Sequence, residues 1–211
     1  MKKYILSLLT IIAIFFTSCS SREYLSERAS GLEKLLNDIS CDRYTYTVKD
    51  HASDNNQVGI TIYYDEQYYK DKIYDLFFIK TKVEEYINSN IDMFSESSCS
   101  IICYSQNDVK YDIPIPYIHL SNDHLFSKTN ENNSINCMEI NSDIYAEQFL
   151  NVEADINVLD INFEYTKSFD YAVLSHFTNL TSISIPSKIC SDEALIADLI
   201  PPNCEVEIIQ V

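Results

Sequence analysis

Glycine is nearly absent from this sequence: among 211 residues only Gly31 and Gly59 are glycines. Loops that cradle phosphate groups need several glycines, because the backbone must approach the phosphate closely. Basic residues are also few, with 15 Lys and Arg against 32 Asp and Glu, which gives a net charge of −17. Such a chain repels phosphate backbones. The scarcity of glycine and of basic residues therefore argues against nucleotide loops and nucleic-acid binding, and favours a basic partner.

Motifs that carry catalysis or hold metals are also missing. The sequence contains no HExxH helix motif, no GxSxG elbow and no CxxC pair. Two histidines, His119 and His124, and two carboxylates, Glu139 and Asp160, are of the residue types that bind zinc, but they do not stand in a known ligand spacing. We therefore expect a protein that is not an enzyme and that has no metal or cofactor.

The N-terminus has the pattern of an export signal. Two lysines, Lys2 and Lys3, precede an uncharged apolar run over residues 4–16. That run is too short to cross a bilayer, which takes roughly 17–25 residues, and its length is typical of a secretory signal peptide. The run ends in Phe16-Thr17-Ser18-Cys19. This segment resembles the lipobox of bacterial lipoproteins, in which the cysteine becomes the lipid-bearing N-terminus.

The resemblance implies a protein that is anchored to a membrane through lipid, palmitate included, on Cys19. Residues 1–18 would be the signal peptide and residues 19–22 the lipidated cysteine with a short linker. Loss of Lys2 and Lys3 leaves 13 basic residues against 32 acidic ones, a net charge of about −19. Anionic head groups repel such a chain, so the lipid must supply the attachment. The expected location is the cell membrane or outer membrane, outside the cytoplasm. The alternative is an ordinary secreted protein.

Six further cysteines could be oxidised or free in an exported protein. An even number of cysteines is compatible with disulfides, and buried free thiols are the alternative. Cys99 and Cys103 lie on one strand-like run, about 13 Å apart along a strand, which is too far for a disulfide between them. The six residues are Cys41, Cys99, Cys103, Cys137, Cys190 and Cys204.

The first half of the chain predicts an α+β layer over residues 23–112. Apolar residues recur at helical spacing over residues 23–38 and again over 68–88. Alternating segments predict a hairpin with strands at 44–48 and 58–64, and a third strand covers 98–104. The order helix, hairpin, helix, strand is typical of a small α+β fold.

The second half, residues 113–211, carries a weak internal repeat. The form LxxLxL occurs at Leu180-Thr-Ser-Ile183-Ser-Ile185 and returns around Leu159, Met138 and Ile118. A last strand has Val206 in the same phase, so the middle apolar position recurs after 20, 21, 24 and 23 residues. These intervals resemble those of leucine-rich repeats. The alternative is an ordinary βαβ layer that continues the sheet of the first half.

Helical segments are expected between the later strands. They cover residues 143–152, residues 168–177 and a segment that is capped by Ser191 and stopped by Pro201 and Pro202. Alternation of strand and helix at this period predicts parallel strands with right-handed crossovers. The asparagine expected after the third apolar position is missing, because Glu164 and Lys188 stand there.

The repeat predicts rows of polar residues on one face of the strands. The central row is His119, Glu139, Asp160, Ser184 and Glu207. One neighbouring row is Ser121, Asn141, Asn162 and Pro186, and the other is Tyr117, Cys137, Val158, Ser182 and Glu205. The candidate ligand-binding residues are Tyr117, His119, Glu139, Asn141, Asp160, Asn162, Ser184 and Glu207.

Proteins of the leucine-rich-repeat family bind proteins or peptides on such rows, and the resemblance implies the same here. Residues 135–211 hold 13 acidic residues, and their only basic ones are Lys167 and Lys188, which favours a cationic ligand. The alternative is a polar face that water solvates and nothing binds. We therefore expect a surface-anchored lipoprotein that acts as a non-catalytic protein- or peptide-binding module. A second hypothesis is an immunity-type protein that neutralises a basic toxin, and an enzyme is the third.

Overall fold

The computed structural model describes residues 26–51, 56–65, 67–68, 72–94, 97–105, 117–123, 135–152, 154–161 and 166–211. These residues form a mixed α+β fold around one eight-stranded sheet, whose strands follow one another in chain order from one edge to the other. The strands are β1 (Tyr44–His51), β2 (Gln57–Tyr64), β3 (Ser98–Ser105), β4 (Tyr117–Asp123), β5 (Ile135–Asn141), β6 (Val158–Asp160), β7 (Ser182–Pro186) and β8 (Glu205–Ile209).

One α-helix precedes the first hairpin and another follows it. Helix α1 (Glu27–Ile39) begins after Ser26, whose hydroxyl accepts a hydrogen bond from the backbone N–H of Ala29 at 3.2 Å. Helix α2 (Lys72–Ser89) lies between β2 and β3, and these strands are parallel, so the helix is the crossover connection that parallel strands need. The sequence placed its start at Tyr68, but Tyr68 donates its N–H to the carbonyl of Asp65 in a turn before the helix.

The core lies on one face of this sheet. Inward residues alternate with outward ones along each strand, as in Val58, Ile60 and Ile62 of β2, which are all fully buried. The inward sides of α1 and α2 and the C-terminal connections belong to the same hydrophobic cluster. The two regions predicted from the sequence thus share one sheet, and β3 and β4, on either side of the predicted boundary, are hydrogen-bonded neighbours.

The parallel strands predicted between the later helical segments occur in β5 to β8, and β4, which the repeat also included, departs from them. Strand β4 is antiparallel to both β3 and β5, whereas β5, β6, β7 and β8 are parallel to one another. The sequence pattern did not reveal this, because alternation of apolar residues has the same period in either strand direction.

The connections between the last four strands contain 3-10 helices. They cover Ala146–Phe149, Tyr171–His176 and Glu193–Leu195, inside or next to the predicted helical segments. A 3-10 helix rises about 2.0 Å per residue, so it spans a short connection with few residues. The third of these helices is capped by Asp192, which accepts from the N–H of Ala194, and not by Ser191 as the sequence predicted.

Asparagine side chains connect the beginnings of the parallel strands. The Asn157 side chain accepts from the backbone N–H of Asn136 at 3.0 Å and donates to the carbonyl of Asn179 at 3.2 Å. The hydroxyl of Thr181 donates to the carbonyl of Asn157 at 3.0 Å. These bonds link the start of β5 to the segments that precede β6 and β7.

No disulfide joins two of the described cysteines. These cysteines are Cys41, Cys99, Cys103, Cys137, Cys190 and Cys204. Burial raises the pKa of Cys99 and of Cys103 to about 12, so both are neutral thiols near neutral pH. Of the two alternatives that the sequence left open, the structure shows the free-thiol one.

The predicted signal peptide and Cys19 lie outside the described residues. Within the described ranges, neither α-helix combines the length and the apolar character needed to cross a bilayer.

Candidate functional site

The side of the sheet opposite α1 and α2 presents polar side chains, and we call it the outer face. On β4, His119 stands between the buried residues Ile118 and Leu120. On β5, Glu139 stands between buried Met138 and Ile140 in the same way. Because successive side chains of a strand point to opposite faces, His119 and Glu139 belong to the outer face.

Strand pairing aligns the five residues of the predicted central row. His119 is paired with Glu139, Glu139 with Asp160, Asp160 with Ser184, and Ser184 with Glu207. Since neighbouring strands lie about 4.8 Å apart, the row extends over about 19 Å from β4 to β8. Three of its five members carry carboxylates.

From β5 to β8 one predicted flanking row is confirmed, with aligned residues Cys137, Val158, Ser182 and Glu205. The flanking rows differ from the prediction at β4. Because β4 runs antiparallel to β5, Tyr117 lies opposite Asn141, and Ser121 lies opposite Cys137. The prediction, which assumed a parallel pair, exchanged these two partners. Asn162, predicted for the same row as Asn141, lies outside the described residues.

Glu139 is the best connected carboxylate of the row. The Tyr117 hydroxyl donates a hydrogen bond to Glu139 Oε1 at 2.6 Å, and His119 Nδ1 lies 3.5 Å from Glu139 Oε2. Burial and the bond to Glu139 both raise the pKa of Tyr117, so this hydroxyl keeps its proton and remains a donor. These contacts hold the Glu139 carboxylate at the centre of the outer face.

Asp160 is a carboxylate that has no cationic partner among the described residues. Its Oδ1 atom is enclosed and accepts no hydrogen bond, and no lysine or arginine of the described residues forms an ion pair with it or with Glu207. Burial raises the pKa of Asp160, and the charges of Glu139 and Glu207 raise it further. The central row therefore holds negative charge that the described part of the protein does not neutralise.

A stack of tyrosines extends from the first hairpin to Tyr117, next to the central row. Tyr63, Tyr104 and Tyr117 are paired across β2, β3 and β4. The ring centroids are 6.0 Å apart in both pairs, with ring planes at 25° for the first pair and 54° for the second. The stack cannot be read from the sequence alone, because it depends on strand pairing between residues that are distant in the chain. The alternation of tyrosine with buried residues was its only local signal.

A cleft on the other side of the molecule is lined by charged groups that pair with one another. It has a volume of about 340 Å³ and lies where α2 meets the first 3-10 helix. Arg43 donates two hydrogen bonds to Asp75, at 2.7 and 2.6 Å, and the Tyr64 hydroxyl also donates to Asp75. Since these groups already satisfy one another, the outer face is the stronger candidate for binding.

A metal site does not arise from the described residues, because no three His, Cys, Asp or Glu side chains converge there. Of the four residues that resemble zinc ligands in type, the structure brings His119, Glu139 and Asp160 into one row. His124 lies outside the described ranges.

Comparison with known proteins returned no match to a protein-family model, to a curated protein or to a solved structure. A function for this chain is therefore argued from its own geometry and charge.

Proposed function

We propose that this protein is a lipid-anchored envelope protein that binds a basic protein or peptide on the outer face of its sheet, without catalysis. One observation carries the proposal: the carboxylates of Glu139, Asp160 and Glu207 are aligned by strand pairing and have no lysine or arginine partner among the described residues.

Electrostatics supports a cationic partner. Like charges on paired strands oppose one another, and the raised pKa of Asp160 expresses that repulsion together with burial. A cation placed over the row would relieve the repulsion and would replace water around carboxylates that are already partly desolvated. Complementary charge also guides the approach of a partner and discriminates against acidic competitors.

The shape of the C-terminal region supports a protein or peptide as the partner. Four parallel strands in chain order, joined by short 3-10 helices, favour a leucine-rich-repeat-like arrangement over residues 135–211. A row of about 19 Å matches five or six residues of an extended chain at about 3.4 Å each. Side chains on one side of such a segment would face the row.

Attachment through Cys19 completes the proposal and is supported by the sequence Phe16-Thr17-Ser18-Cys19 after a short apolar run. Cells that make the protein should incorporate labelled palmitate into the wild-type chain and none into Cys19→Ser. The variant should also keep its signal peptide, which mass spectrometry measures. Equal labelling of both chains would contradict the anchor.

Neutralisation of the row tests the binding face. The triple variant Glu139→Gln, Asp160→Asn, Glu207→Gln keeps side-chain shape while it removes three charges. A matched control, Glu85→Gln, Glu193→Gln, Asp198→Asn, removes three charges from exposed positions elsewhere.

We expect crosslinked capture of one basic partner by the wild type and by the control, and loss of that partner in the row variant. A basic toxin among the captured proteins would favour the immunity-type hypothesis. Equal capture by the row variant and the control would contradict the proposal, and circular dichroism verifies that both variants are folded.

A further inference from the structure

Two acceptor atoms on neighbouring strands of the outer face lack donors in the part of the chain that the structure describes. Asn141 is 4% exposed, and its side-chain Oδ1 accepts no hydrogen bond. Asp160, on the next strand, has an enclosed Oδ1 in the same condition. An unsatisfied buried acceptor costs about 1–3 kcal/mol, and more for a charged group. A ligand cannot reach these enclosed atoms directly, but a cation against the partly exposed carboxylate of Asp160 would stabilise its poorly solvated charge.

The tyrosine stack ends beside these acceptors. Tyr117 is paired with Asn141 across β4 and β5, and its hydroxyl reaches Glu139, which is paired with Asp160. The ring of Tyr117 therefore leans toward the carboxylates. An aromatic ring next to carboxylates and an amide oxygen is a surface that attracts a planar cation.

We propose that this corner of the outer face, formed by Tyr117, Glu139, Asn141 and Asp160, is a subsite for the guanidinium group of an arginine in the partner. The inference rests on the proposed function and names the chemistry that the basic partner must supply. The guanidinium group lies against the Tyr117 ring and donates to the partly exposed carboxylates of Glu139 and Asp160.

Arginine fits this subsite better than lysine does. A guanidinium group is planar, carries five N–H donors, is weakly hydrated and stacks on aromatic rings. An ammonium group is compact, strongly hydrated and carries three donors, so it cannot both contact the ring and reach acceptors on two strands. Only the guanidinium group can contact the Tyr117 ring and the hydrogen-bond acceptors of the corner at the same time.

Three blocked peptides test the subsite: Ac-Thr-Val-Arg-Val-Thr-NH2 and its counterparts with lysine or with citrulline, which has the shape of arginine without its charge. Each is titrated at low salt into the full chain in nonionic detergent, with amide chemical shifts as the readout. We expect the arginine peptide to bind about tenfold more tightly than either counterpart. The lysine side chain cannot form bidentate hydrogen bonds, and the citrulline side chain cannot form charge-assisted ones.

Two variants locate the binding. Asp160→Asn keeps the shape of the side chain, and since it removes repulsion within the row we expect it to fold at least as stably as the wild type. It should weaken the arginine peptide about tenfold, whereas the matched change Asp198→Asn, at an exposed position outside the strands, should leave the affinity within twofold.

Equal binding of the arginine and lysine peptides would overturn the arginine subsite and leave the proposed function standing. Equal loss in Asp160→Asn and Asp198→Asn would also overturn it, because the effect would then be that of net charge. Absence of binding by all three peptides would reject the subsite, while partner capture with the neutralised row would still decide the proposed function separately.

Discussion

The buried lysine at the start of α2 allows a quantitative prediction. Lys72 is 4% exposed, and burial lowers its pKa to about 8, while the neighbouring Cys103 offsets part of this effect. A cation in the first turn of a helix is also disfavoured by the helix dipole. We therefore expect Lys72 to destabilise the folded protein wherever it is charged.

The magnitude and the sign follow from the two pKa values. The difference between the ordinary value of 10.5 and about 8 corresponds to about 3 kcal/mol. Between pH 8 and 10.5 the unfolded chain binds the proton and the folded chain does not, so stability rises with pH across this window. Below pH 8 both states are charged and the full penalty applies.

Lys72→Met should consequently be more stable than the wild type by up to about 3 kcal/mol at pH 7. The difference should shrink between pH 8 and 10.5 and vanish above that range. Urea unfolding of both proteins at half-unit pH steps measures it, and the subtraction cancels the titration of groups that both proteins share. A difference that stays constant from pH 7 to 10.5 would show that the ammonium group reaches water and would refute the reasoning.

Three further substitutions test the packing that positions the outer face. Arg28→Leu should cost about 3–5 kcal/mol in urea unfolding, because Asp50 would lose its buried bidentate partner; a cost below about 1 kcal/mol would contradict this. Gly31→Ala should destabilise the protein although alanine favours helices, since a Cβ there would lie 2.0 Å from the Tyr86 hydroxyl oxygen, and the loss should disappear in a Tyr86→Leu background. Asn157→Ala should lower the unfolding free energy by about 1–2 kcal/mol through two lost hydrogen bonds, and an unchanged value would show that the strand starts do not depend on it.

Local periodicity predicted the elements of the first half well. The hairpin, the inward residues of α2 and the strand that carries Cys99 and Cys103 all occur where the apolar pattern placed them. In these segments the alternation or the helical spacing is continuous, so the pattern alone determines which side is buried.

The local sequence pattern could not predict the direction of a strand or the type of connection between strands. Alternation is the same for parallel and antiparallel strands, so the antiparallel β4 was missed, and with it the pairing of Tyr117 with Asn141. The alignment of Glu139 with Asp160 was predicted, because the repeat interval fixes the register of parallel strands. The tyrosine stack depends on three strands that meet only in the folded sheet, and no single segment indicates it.

The most direct test of the binding face is a photo-crosslinking residue placed at Ser184, which lies between Asp160 and Glu207 in the central row. The matched position is Ser191, which is exposed and outside the strands. In living cells we expect an adduct with a basic partner from position 184 and none from position 191. The adduct should be lost when Glu139, Asp160 and Glu207 are neutralised. The same adducts from both positions, or an adduct from position 184 that survives neutralisation, would contradict the claim that the outer face is a binding site for cationic chains.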